Sequence, residues 1–325
     1  GTTMSTVQEA FNLIDEPWIP VLWLDGHTDR VGIRAALTEA SRIRQLAASN
    51  PMDNVALLRF LLAVLCWCKG DPPESEAPAE RDAFPADWFK KLDEHRECFD
   101  LLGNGPRFYQ DNNVARNKRP IGDLLVEFPT ETKIAHFRHV RDGQYGFCPG
   151  CCALGIVRFC AFANRAGRGY TEGVNGPTPA YKLVAGGTLL ETLLAHWPNT
   201  VHAVRKPPWC DPSPPSRQDL DALTVLAWRS RRIWLGTPEE GGVCAHCGQQ
   251  GSIIRTLEFG GGWKPPEGSG KNQEQFWRDD PHLILVHRTS ESEFEDQPAG
   301  AEAGEQTAQR TNRKRGGRAT TLRFP

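Results

Sequence analysis

The 325-residue chain has no uninterrupted apolar run of about 18 residues, the length needed to cross a bilayer. The best stretch, NVALLRFLLAVLCWC from Asn54 to Cys68, is too short and carries Arg59. It reads as a buried helix, with Asn50 or Asp53 able to cap its start and Gly70 able to stop its end. Nothing after Met4 has the basic and apolar regions of a signal peptide, and Gly1-Thr2-Thr3 reads as a cloning remnant, so the expected location is the cytoplasm. No G-x-S-x-G elbow and no Walker glycine loop occurs, and GRGYTEG departs from a dinucleotide fingerprint because no clear strand precedes it. Positive charge is not in excess either: 38 Lys and Arg stand against 40 Asp and Glu, whereas an independent DNA binder is usually basic. Ten cysteines fall below the density of a disulfide scaffold, and in a reducing compartment paired cysteines are expected to hold metal rather than bridge.

What is present supports a substantial core, as one large domain or two smaller ones, since 39% of the residues are hydrophobic. FNLIDEPWIPVLWLDGHTDRVGI alternates apolar and polar positions around Asp25-Gly26, the pattern of a hairpin with Pro17 at a strand entrance. The helix over NPMDNVALLRFLLAVLCWCKG is apolar nearly all round and is expected at the centre of the core. DPPESEAPAE is an exposed loop, and ADWFKKLDEHRECFDLL returns to helical spacing before GNGPRFYQ breaks it. Short helices are expected over GIVRFCAFANRAG, from Gly155 to Gly167, and over TLLETLLAHW, while the prolines of VRKPPWCDPSPPS exclude helix. Six acidic and no basic residues between Glu291 and Glu305 precede six basic and no acidic ones between Arg310 and Arg323, a segregation that predicts disorder. The closing TTLRFP regains strand character, which suggests a fragment of a longer protein. The fold class expected is mixed α/β (α+β), a large irregular domain with an N-terminal β-hairpin and buried helices.

Two C-x-x-C turns stand far apart, Cys148 and Cys151 in FCPGCC and Cys244 and Cys247 in CAHCGQQG. Each turn lets two thiolates approach one ion, and together they complete the tetrahedral all-thiolate set of a structural zinc site. Unrelated buried thiols would not explain the shared spacing. Cys152 and His246 are spares, expected to pack or to stand behind the ligands, and Cys66, Cys68 and Cys160 read as core residues. His95-Arg96-Glu97 matches half of a deaminase signature, but Phe147 stands where that signature has proline, and a second C-x-x-C would fill the position a catalytic zinc keeps open. His136 and His139 lack an accompanying carboxylate cluster.

Several segments, taken in order, resemble the CasA family, the large subunit of the type I-E CRISPR Cascade complex: FNLIDEPWIPV, GPRFYQ, CPGC, AGRGYTEGVNGPTPAY, RRIWLG and CAHCGQQG. The resemblance covers nearly the whole chain but not the family's C-terminal helical bundle or its wedge residues. It implies an N-terminal domain over 4–288, and the segregated charge and strand-like ending add a disordered segment over 289–320 and the start of a strand at 321–325. It also implies a subunit of an antiviral surveillance complex that recognises the protospacer-adjacent motif on double-stranded DNA while base pairing with crRNA reads the rest. Gly167, Arg168 and Gly169, with Tyr170, correspond to the family's glycine loop, where backbone and one cation approach a groove. Lys264 falls near its minor-groove lysine. Phe137, Arg138, His139 and Arg141 fall in the loop that reaches the crRNA 5′ handle, where Phe137 stacks and the arginines meet phosphates. The partners implied are the other Cascade subunits, crRNA, target DNA and a recruited helicase-nuclease, with no membrane. Cleavage in that family belongs to the recruited protein, so the chain is expected not to be an enzyme. The rivals are a zinc-stabilised protein adaptor and a zinc-dependent nuclease or deaminase.

Overall fold

The computed structural model describes residues 10–73, 82–114, 118–128, 145–163, 170, 173–175, 179–199, 206–216, 219–264 and 280–282. All lie in the compact unit Gly1–Leu283. The expected disordered segment 289–320 and strand 321–325 fall outside the described residues, as do His136 and His139.

The hairpin forms where the alternation placed it: β1 (Ile19–Trp23) pairs antiparallel with β2 (Thr28–Val31) around Gly26, whose φ of +93° suits a residue without Cβ. A third strand not anticipated, β3 (Ile43–Leu46), adds to the other edge of β1 after helix α1 (Ile33–Thr38). Its four residues IRQL show no period-2 run, so only pairing with β1 makes it a strand.

Helix α2 (Pro51–Lys69) has Asn50 as N-cap, its side chain accepting from Met52 N, and Pro51 in the first turn, where the missing N–H costs nothing. Gly70 ends it at φ +82°. By length and composition α2 could cross a membrane, yet most of it is buried within the protein. Its aromatic face meets residues from distant segments: Phe60 lies 5.4 Å from Phe108 and 5.6 Å from Trp209, edge to face, and Trp67 lies 5.6 Å from Trp209. GPRFYQ therefore enters the core, with Tyr109 held at φ +54° and its hydroxyl donating to Ala227 O at 2.9 Å.

The helical spacing over 86–102 is broken in the structure into a 3₁₀ turn at Ala86–Phe89, helix α3 (Lys90–Glu94) and a second 3₁₀ turn at Arg96–Phe99. Helix α4 (Pro149–Ala161) begins well before the expected Gly155, because Pro149 fits the first helical position after Cys148 and the C-x-x-C pair lies in its first turn. Helix α5 (Leu189–His196) starts at Thr188, whose hydroxyl accepts from Glu191 N, and α6 (Ala222–Leu226) starts at Asp221. A second sheet has the order β4-β8-β5, from β4 (Lys118–Pro120), β5 (Arg231–Leu235) and β8 (Thr256–Gly261). A separate hairpin joins β6 (Glu239–Val243) to β7 (Gln250–Ile253).

Two departures concern pairings between residues far apart in the sequence. Cys98 and Cys210 form a disulfide with Cα atoms 5.0 Å apart, contrary to the expectation that paired cysteines serve metal. Their separation of 112 positions leaves no spacing for the sequence to signal. Arg59, fully buried on α2, is answered by a residue far along the chain: Asp280 accepts from Nη1 at 2.8 Å and from Nη2 at 2.6 Å. Burial alone would raise the Asp280 pKa, but Arg59 outweighs it and holds the carboxyl at about 2. Arg59 also stacks 4.3 Å from the Tyr181 ring and faces His282 Nδ1 at 3.2 Å. Since guanidinium only donates, His282 Nδ1 accepts, and the proton rests on Nε2, buried without a partner among the described residues.

Burial and then Arg59 push His282 down to about 3. A lowered histidine pKa means that the unfolded chain binds the proton first, so stability present above about pH 6.5 is lost as pH falls toward 3. Denaturant unfolding between about pH 7.5 and about pH 5 should show a loss of about 2 kcal/mol that His282→Gln abolishes; an identical pH dependence in the variant would contradict it. The disulfide predicts that Cys98→Ser lowers the stability of the oxidised protein by about 2–5 kcal/mol and leaves the fully reduced protein unchanged. Equal loss with and without reductant would mean that the bond is absent in solution.

Candidate metal centre and nucleic-acid interface

The four cysteines reach one point from two kinds of local structure. Cys148 is the N-cap of α4 and Cys151 lies in its first turn, where the helix end favours a thiolate. Cys244 and Cys247 occupy the loop between β6 and β7, closed by Cys244 N donating to Gln249 O at 2.9 Å and Gly248 N to Cys244 O at 2.8 Å. Gly248 sits at φ +75°, which a side chain would strain. A two-residue β-bridge brings the halves together: Phe147 N donates to Ile254 O at 3.0 Å and Ile254 N to Phe147 O at 2.8 Å. Ala245 N adds a bond to Gly146 O at 2.8 Å, and a Cβ on Gly146 would stand 2.6 Å from Ile253 Cδ1.

The result is four sulfurs within 4.8 Å of one another, with Cys148 and Cys247 Sγ 3.7 Å apart. A tetrahedron with metal–sulfur bonds of about 2.3 Å has edges of about 3.8 Å. The donor set therefore fits a tetrahedral, thiolate-preferring ion. Sharing so small a volume, the thiols polarise one another: Cys151 is pushed up by Cys148, Cys244 and Cys247 in turn, while hydrogen bonding from Cys151 pulls Cys247 down to about 6. The spares fall where expected. Cys152 is fully buried against Phe147 O, and His246 turns Nδ1 to Cys151 Sγ at 3.2 Å, behind the ligands.

Arg30, Glu127 and Arg158, around this centre, gave no sequence signal. Arg30, on β2, holds both terminal guanidinium nitrogens 3.9 Å from Cys151 Sγ, a positive charge against the thiolates. Glu127 and Asp53 flank Arg158 of α4, which donates to Asp53 through Nε at 2.6 Å and Nη2 at 2.9 Å and to Glu127 through Nη1 at 2.5 Å and Nη2 at 2.9 Å. Burial would raise Glu127, but Arg158 dominates and holds it at about 2. Asp53, Glu127 and His246 lie close enough to share a cation, and Arg158 already serves as that cation. His95, Glu97 and Cys98 also cluster, but the Cys98 sulfur is committed to Cys210. The half-match to a deaminase thus gathers around a bonded cysteine, apart from Cys148 and Cys151.

Of the nucleic-acid candidates, Tyr170 and Lys264 are described. Tyr170 is half-buried, its hydroxyl donating to Phe259 O at 3.5 Å and its ring 5.7 Å from Phe259, with the Arg231 guanidinium 5.5 Å from its centroid. Burial lowers Arg231 to about 10. Lys264 is exposed just after Trp263, which is pinned by its backbone to Arg229 O and by its indole to Pro212 O, both at 2.8 Å. Gly167, Arg168 and Gly169, and Phe137, Arg138, His139 and Arg141, lie outside the described residues.

Small sheets, buried helices and a four-sulfur joint define a mixed α/β protein whose distant segments are tied at one cysteine cluster. A sequence profile of the CRISPR-associated protein Cse1 family matches residues 12–307, and the chain belongs to that family. It is 29% identical over 296 residues to the CRISPR-associated protein CasA/Cse1 of Thermus thermophilus, covering 87% of this chain and 58% of that protein. The chain thus spans little more than half that relative's length. The crystal structure of Thermobifida fusca Cse1 superposes with a TM-score of 0.65 at 21% identity, over 88% of this chain and 60% of that one. A chain of a CRISPR RNA-guided surveillance complex in its pre-nicking state superposes with a TM-score of 0.64 at 17% identity, over 86% and 59%.

Proposed function

We propose that the chain is the N-terminal part of the large subunit of a type I-E Cascade surveillance complex, with one structural zinc ion held by Cys148, Cys151, Cys244 and Cys247. In this reading it recognises the protospacer-adjacent motif on double-stranded DNA, contacts the crRNA 5′ handle and helps to recruit the helicase-nuclease. The observation that carries it is membership of the Cse1 family over residues 12–307, joined to the cluster of four sulfurs. When bound, zinc supplies a charged cross-link and no open coordination position, so its contribution is to folding. In the same reading the chain acts in the cytoplasm and does no cleavage itself, that chemistry belonging to the recruited helicase-nuclease.

Near-neutral net charge suits a subunit that meets DNA inside an assembly. Tyr170, next in sequence to Gly167, Arg168 and Gly169, is tethered to Phe259 beside Arg231. Lys264, exposed beyond the pinned Trp263, supplies a cation for the minor groove. Phe137, Arg138, His139 and Arg141 contact the crRNA-bearing complex.

Metal analysis should give about one zinc per chain, and Cys148→Ser or Cys244→Ser should cause aggregation rather than a local loss. A metal-free protein of unchanged thermal stability would defeat the zinc reading. In the assembled complex, Gly169→Asp should abolish motif-dependent duplex binding by clash and phosphate repulsion. Arg168→Ala should instead weaken binding to every duplex and flatten the salt dependence by about one counterion. Titrate both at two salt concentrations with duplexes carrying or lacking the motif. If Gly169→Asp binds both as wild type does, the loop does not read the motif and the adaptor reading gains.

A further inference from the structure

We infer that His246 and Glu127 form an outer shell for the four-cysteine centre, His246 holding Cys151 and Glu127 holding His246, and that this pair sets its metal affinity. The inference rests on the zinc reading above. His246 lies inside the CAHC loop, its side chain only 12% exposed, with Nδ1 3.2 Å from Cys151 Sγ and Nε2 3.7 Å from Glu127 Oε1, an electrostatic contact longer than a hydrogen bond. A ligating sulfur must be a thiolate, so the Nδ1 contact is a donor to a negatively charged ligand. Such a bond offsets part of the negative charge gathered on the four sulfurs and fixes the Cys151 rotamer. Outer-shell groups of this kind change metal affinity by about 10–100-fold when removed.

Glu127 is itself immobilised. Arg158 grips both of its oxygens, Asn50 Nδ2 stands 3.4 Å from Oε1, and Arg158 in turn grips Asp53 in the first turn of α2. A continuous line of polar contacts therefore runs from the Cys151 sulfur to the start of the central helix. The same corner is packed by rings: Phe128 lies 4.9 Å from Tyr145, 4.8 Å from Phe147 and 6.1 Å from His246. The chain before residue 129 and the chain after residue 144 thus meet beside the metal ligands, so the outer shell joins the cysteine centre to both flanks of that segment. A second cation among Asp53, Glu127 and His246 is the rival explanation, and the Arg158 guanidinium occupies the space it would need.

The test uses the full chain, zinc ions and a competing chromophoric chelator. His246→Leu should weaken zinc binding about 10–100-fold with the stoichiometry unchanged. His246→Asn, whose amide N–H replaces the Nδ1 donor, should recover most of that loss. Glu127→Gln should weaken zinc in the wild-type background but add nothing in His246→Leu, because Glu127 acts through the imidazole. Zinc affinities within about twofold of wild type in both single variants, equal losses for the Leu and Asn substitutions, or losses that multiply in the double variant would each overturn the inference. If His246→Leu fails to fold, Glu127→Gln loaded with cobalt decides: a shifted sulfur-to-cobalt charge-transfer band supports the outer shell, and an unmoved band overturns it. A wild-type chain that binds no zinc overturns the zinc reading and this inference together, whereas zinc binding indifferent to these variants overturns only this one.

Discussion

Four sulfurs lie within 4.8 Å of one another, close enough that as thiolates they would repel unless a cation stood among them. Several elements converge on that cluster. The N-terminus of α4 and the loop between β6 and β7 deliver two cysteines each, and the Phe147–Ile254 bridge sets the two deliveries side by side. Arg30 approaches from β2, which itself belongs to the N-terminal sheet. A single tetrahedral ion would thereby fasten the first sheet, the fourth helix and the small hairpin, elements that stand far apart in the sequence.

Buried arginines perform the equivalent task around α2. Arg59 projects from its middle to Asp280, and Arg158 of α4 reaches Asp53 in its first turn. A charge removed from water costs several kcal/mol unless paired and hydrogen-bonded, so each pair is strongly directional even where its net contribution is small. Arg59 also receives the Tyr181 ring, and Tyr181 donates to Ala161 O at 2.6 Å while accepting from Asn175. The far side of the glycine-rich segment is thus tied into the core by the same cation. Such tethering of the described flanks is in keeping with the proposed DNA-facing role of the loop.

The legible parts of the sequence are those with local signals. The Asp25-Gly26 hairpin, the capped and stopped α2, the Thr188 cap of α5 and the two C-x-x-C pairs all carry their information within a few residues, and each is found where the pattern puts it. Local spacing fails where structure depends on distant pairing. IRQL becomes a strand only because β1 offers an edge, and RRIWLG pairs with TLEFGG across a gap that β6 and β7 occupy. The helix at Pro149 begins earlier than its apolar residues suggest, because a proline-led first turn of a helix looks like a turn alone in sequence. Cys98 and Cys210 carry no local signal for the same reason as Glu127 and Arg30: their partners are set by the fold, not by spacing. The likeness to Cse1 is readable because it rests on the order of several segments, whereas the contacts that make those segments cohere are not.

X-ray absorption at the zinc edge addresses the central claim most directly. One ion bound by the two C-x-x-C pairs requires a single shell of four sulfurs at about 2.3 Å. A shell containing nitrogen or oxygen, or fewer than four sulfurs, would contradict the four-cysteine joint that ties these distant segments together.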